Sequence, residues 1–66
     1  MNDGTAVKVY EKTHNGLKFE IHKYYRKSKW AWGLMVFKNG LVVDGYQDHR
    51  KKDISWYILK KYNMKY

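Results

Sequence analysis

The stretch WAWGLMVFKNGLVVDGY, Trp30 to Tyr46, decides the reading of this chain. Two apolar runs, Trp30 to Lys38 and Leu41 to Tyr46, flank Asn39-Gly40, a pair suited to the positive φ angles of a tight two-residue hairpin. Aromatic and β-branched residues dominate both runs, as a pleated, half-buried surface favours. Strands three and four, joined by a hairpin, are expected here.

Upstream the same period-two alternation recurs. Val7 and Val9 form one run, and Leu17, Phe19 and Ile21 form another with Lys18, Glu20 and His22 between them. His14-Asn15-Gly16 supplies the turn. A two-residue loop at Asn15-Gly16 would set Tyr10 opposite Ile21 and turn Val9 outward, whereas a three-residue loop pairs Val9 with Ile21. The three-residue loop is the expectation.

Downstream of Gln47 the spacing becomes helical. Ile54, Ile58, Leu59 and Tyr62 lie on one stripe, with Asp48 or Asp53 as the N-cap, which predicts a helix of two to four turns. The fold class is therefore α+β, a four-stranded antiparallel β-meander with one C-terminal α-helix packed on one face (ββββα). The helical stripe against Val9, Phe19, Ile21, Leu34, Val36 and Val43 makes the expected core. Residues 1–66 form one domain, with Met1 to Thr5 expected to be a frayed end.

The ordered set Phe19-Glu20-Ile21, Lys29-Trp30-Ala31-Trp32, Asn39-Gly40 and Gly45-Tyr46, followed by a helix, resembles the YegP-like family of small bacterial domains. The resemblance covers Leu17 to Tyr62. It implies a ββββα or βββα unit that often occurs as tandem copies, in a family without an established activity.

Size and charge narrow the function. A chain of 66 residues buries only about 60% of its unfolded surface. Without cysteine, neither a disulfide nor a thiolate metal site supports that core, which suits a reducing cytoplasm. No apolar run approaches the ~20 residues of a membrane-spanning helix, and no signal-peptide pattern opens the sequence. Fourteen Lys and Arg against six Asp and Glu give a formal charge of +8, a field that favours anionic partners. Twelve of those cations are Lys, and Tyr and Asn are also common, the codon bias of an AT-rich bacterium or its phage.

Catalytic readings find little support. Ser28 and Ser55 lack a His-plus-acid pattern, and there is no Gly-rich phosphate loop. His14, His22 and His49 fall in separate segments, and only Glu20 with His22 has a spacing that a metal could use. No catalytic residue, metal site or cofactor is expected.

The basic clusters carry more. Antiparallel order places the second turn and the helix start at one end of the sheet, so Arg26, Lys27, Lys29, Arg50, Lys51 and Lys52 are expected on one rim. Cations at a helix N-terminus oppose the helix dipole, so folding alone does not ask for them there. A phosphate would receive both the cations and the free helix N–H groups. Tyr25 and Trp30 near the turn, and Trp56 beside the helix's Lys60 and Lys61, are candidate stacking surfaces, against the plainer reading that large aromatics complete a thin core.

On the uncovered sheet face Tyr10, Met35, Phe37, Val42 and Tyr46, with Tyr46 across Gly33, are expected to form an apolar interface strip edged by Lys8, Lys12 and Lys18. The leading expectation is a non-enzymatic module binding DNA or RNA through phosphates with low sequence specificity. The alternative is a protein-interaction module, phage-encoded in one version, that binds or inhibits an acidic host protein. Pairing of two copies through the strip is compatible with either.

Overall fold

Two Asn-Gly turns fix the hairpins. Asn15 and Gly16 have φ of 51° and 78°, and Asn39 and Gly40 have 53° and 81°. Positive φ at both central residues is the mirror-image turn whose twist matches that of paired strands. The computed structural model, which describes residues 6–27 and 29–66, contains β1 (Ala6–His14), β2 (Leu17–Arg26), β3 (Lys29–Lys38), β4 (Leu41–Asp48) and α1 (Lys51–Tyr62). The strands form one antiparallel sheet in the order β1-β2-β3-β4, and the helix lies on one face of it, giving the expected ββββα architecture. Residues 1–5, expected to fray, lie outside the described residues.

The covered face is built from alternate residues of β2 and β3. Phe19 pairs with Val36 and Ile21 with Leu34, and all four are buried beneath Ile54 and Ile58. Full burial of side chains of this size contributes about 1.5–3 kcal/mol each. After the helix the chain turns at Asn63, whose left-handed backbone (φ 54°) lets its N–H donate to the Leu59 carbonyl at 3.0 Å. This αL cap redirects the tail so that Met64 is buried in the core and Tyr66 packs against Tyr10, ring centroids 4.6 Å apart.

Two one-residue shifts correct the expected faces. The first hairpin uses the two-residue loop: His14 pairs with Leu17 and Tyr10 with Ile21. A bulge then leaves Val9 as an extra residue between Lys8 and Tyr10, about half-exposed rather than in the core. The second shift is in β4. Phe37 pairs with Val42, but Val36 pairs with Asp44, so Val43 is the extra residue. Without that bulge Val43 would face the core; with it Val43 is exposed, Asp44 turns toward the helix, and Tyr46 moves from opposite Gly33 to opposite Leu34. Tyr10 and Tyr46 therefore pack against the core and leave the expected open-face strip. It is Tyr24 that covers Gly33, where a Cβ would lie 3.3 Å from the Tyr24 ring.

The helix also departs from expectation at two points. Its N-cap is Arg50, without a side-chain cap. Asp48 is still in β4, its carboxylate accepting from the Tyr46 hydroxyl and the His49 N–H, while Asp53 sits in the first turn, where a carboxylate complements the helix dipole. Leu59, expected in the core, is 48% exposed because Ile54 and Ile58 set the buried direction and Leu59 lies well round from it.

Candidate nucleic-acid interface

The bulge at Val43 brings Asp44 into a dense set of polar contacts. Asp44 accepts hydrogen bonds from the hydroxyls of Tyr57 (3.0 and 2.9 Å) and Tyr62, and from the Gly45 N–H at 2.8 Å, and pairs with Lys61 at 3.0 Å. Burial by itself would raise the Asp44 carboxyl, but the hydrogen bonds from Tyr62, Lys61 and Tyr57 outweigh it and hold the pKa at about 2. Burial, then the bond to Asp44, push Tyr62 up to about 12. Tyr46 stacks on Tyr57 with centroids 4.3 Å apart and planes 6° from parallel. Every polar group here has a partner, so the cluster fastens α1 to β4.

The far end of the sheet, where β2 turns into β3 and β4 runs out, is organised differently. Pairing of Lys23 with Trp32 and Tyr25 with Trp30 places four residues on one face. The Lys23 ammonium lies 4.7 Å from the Trp30 ring centroid and 5.3 Å from that of Trp32. Tyr25 meets Trp30 edge-on at 5.4 Å. Trp32 reaches the core, but Trp30 is 41% exposed. Round the same end a cleft of about 630 Å³ is lined by Tyr24, Lys27, Lys29, Ala31, Gln47, Asp48 and His49. One side of this sheet end thus presents aromatic rings and the other presents ammonium groups. Asp48 is the acidic member of the lining, and its carboxyl is held below its usual value chiefly by the Tyr46 hydroxyl and the His49 N–H.

Not all the expected rim converges here. Lys27 and Lys29 line the cleft, whereas Lys51 lies over the Tyr66 ring at 5.2 Å and Lys52 lines a separate groove with Trp56. Arg50, between the two, pairs with Asp53 at 3.2 Å in an exposed contact of little energetic weight. The helix starts at the predicted end, but its 100° rotation per residue sends Lys51 and Lys52 away from the cleft. The side chain of Arg26 lies outside the described residues. Lys23 opens the basic run at the second turn but is not among the six cations expected on the rim, although hairpin register sets it beside Trp30 and Trp32.

On the open face Met35, Phe37 and Val42 remain of the expected strip, with Lys18 4.9 Å above the Phe37 ring. Glu20 there binds Lys18 at 3.1 Å and approaches His22 at 3.5 Å. Among the described residues no group of three or more His, Cys, Asp or Glu is placed to hold a metal ion. None of the described helices is long and apolar enough to cross a membrane. No protein-family model matches the chain, and neither does any curated protein or solved structure. The YegP-like resemblance thus rests on its short sequence motifs alone.

Proposed function

We propose that this chain is a small non-enzymatic module that binds nucleic acid through phosphate contacts at the sheet end, with low sequence specificity. The observation that carries this reading is the exposed Trp30, bracketed by Tyr25 and Lys23, at the same end as the cleft of Lys27, Lys29 and His49. Cations supply attraction to phosphate, and exposed rings supply contact with any base. The sequence carries no recognised base-reading motif, so affinity is expected to vary little with sequence. Purified protein titrated with unlabelled duplex and single-stranded oligonucleotides at low salt tests the reading. Saturable binding tighter than about millimolar supports it. Its absence removes it.

A second reading is favoured by one observation. β4 is an edge strand, exposes Leu41, Val42 and Val43, and is the one described element without Lys or Arg. Edge strands are usually guarded by lysine, as β1 is by Lys8 and Lys12. A protein partner adding a strand to β4 would meet no cation within that strand. Val42→Lys would abolish such binding and leave nucleic-acid binding intact.

A further inference from the structure

The outer side of α1 runs against the pattern that folding alone favours. Ile54 and Ile58 are fully buried, and helical rotation places Lys52, Trp56, Leu59 and Lys60 on the opposite side. There Trp56 is 62% exposed and Leu59 is 48% exposed. A large ring left in water adds nothing to a core. Beside it the helix and the returning tail enclose a groove of about 250 Å³ with almost wholly apolar walls, formed by Trp56, Leu59 and Tyr66 with Lys52, Ser55 and Lys65 at its margin. Lys60 lies 5.5 Å from the Trp56 ring centroid. Tyr66 is held in place from behind by Tyr10 and Lys51.

Charge and continuity identify the occupant. The groove has three lysines around it and no Asp or Glu among its lining residues, which suits a partner that is anionic yet carries a flat apolar part. His49 lines the sheet-end cleft and Lys52 lines the groove. Two residues, Arg50 and Lys51, lie between them, so at most about 11 Å of backbone joins the two linings across the helix start. One polymer with phosphates and bases fits both.

We propose that the Trp56 groove is a base-stacking subsite and that the nucleic acid bound is single-stranded. Its backbone passes from the sheet-end cleft over Arg50 to α1, where an unpaired base stacks on Trp56 and adjacent phosphates meet Lys52, Lys60 and Lys65. In a duplex the base faces are already covered by their neighbours, so the groove discriminates against it. The proposal rests on the nucleic-acid reading of the sheet end and adds the class of strand.

The test compares the full chain with Trp56→Ala and Trp56→Phe, each titrated with an oligo-dT single strand and with a mixed-sequence duplex in the same low-salt buffer. Loss of one stacked base corresponds to a weakening of about 5- to 150-fold, so Trp56→Ala should lose about that much affinity for oligo-dT while its duplex affinity stays unchanged. Trp56→Phe should retain most of the oligo-dT affinity. Equal losses on both strands, or no loss on either, overturn the proposal while leaving the phosphate reading standing. No binding of either probe by the unaltered chain overturns both. A parallel arm uses phosphatidylglycerol vesicles: Trp56-dependent binding to them, with none to oligo-dT, would make this a lipid-facing surface and also overturn the proposal.

Discussion

The Asp44 cluster and the sheet-end surface both combine tyrosine or tryptophan with lysine, yet they are built differently. At Asp44 the hydroxyls of Tyr57 and Tyr62 and the Lys61 ammonium all close on one carboxylate. At the sheet end Lys23 lies against two rings, one of them partly exposed, and Lys27 and Lys29 line a cleft. The contrast teaches that composition alone does not separate fold from function in a chain this basic. What separates them is exposure: the Asp44 carboxylate draws two tyrosines and Lys61 into bonds that hold α1 to the sheet, whereas Trp30 is left 41% exposed beside Lys23, the arrangement on which the nucleic-acid proposal rests.

The largest expected effect breaks the first region. Asp44→Ala leaves two tyrosine hydroxyls and an ammonium without their acceptor and should destabilise the domain by about 1–3 kcal/mol in urea denaturation. Binding by the molecules that remain folded should not change. An unaltered urea midpoint would show that the cluster does not fasten the helix.

Acid should open the same region. Because the Asp44 carboxyl is depressed to about 2 when folded against an ordinary 3.8, its stabilisation is present above the ordinary value and is lost as pH falls from about 4 to 2. Solvent screening of this accessible site limits the effect to about 1–2 kcal/mol. Asp44→Asn should flatten that part of the stability–pH curve; an identical acid limb in the variant would assign it to other carboxylates.

A third change separates stability from binding by location. Gly40 has φ 81° in the turn at the end of the sheet remote from the candidate interface. Gly40→Val should cost about 1 kcal/mol or more through strain at positive φ and leave nucleic-acid affinity intact. An unchanged melting temperature would count against the tight turn. The smallest stability effect belongs to the second region. Trp30→Ala should shift stability by no more than about 1 kcal/mol while weakening binding, the reverse of Asp44→Ala. If Trp30→Ala unfolds the domain, that ring is core and the contrast between the regions fails.

The element order was legible in the sequence because it depends on period-two runs and Asn-Gly turns, which are local. The faces were less so. Tyr10, Val9, Val43 and Tyr46 were all misplaced by single-residue register steps, at the Asn15-Gly16 loop and at the β4 bulge, and one step exchanges the two faces of a strand. The bulge has no signature in residues Leu41 to Tyr46; its result is the Asp44 contact with a helix more than ten residues away, a tertiary preference that local pattern does not carry. The tail was the more avoidable omission, since Asn63 followed by Met64 is a recognisable αL cap with an apolar residue behind it. At the candidate interface, turn and helix start were correctly brought to one end, but the direction of each lysine on the first helical turn depended on where the cap fell.

The central claim is that phosphate binding is localised at the sheet end, and the salt dependence of affinity tests it most directly. With duplex DNA, three to four contacts from Lys23, Lys27, Lys29 and Arg50 give a slope of log affinity against log salt of roughly −3 to −4, at about 0.9 per contact. The paired variant Lys27→Ala with Lys29→Ala should make that slope shallower by about two units across unrelated sequences, while Lys8→Ala with Lys12→Ala on the β1 edge should leave it nearly unchanged. Equal slopes for the two paired variants would contradict a localised site.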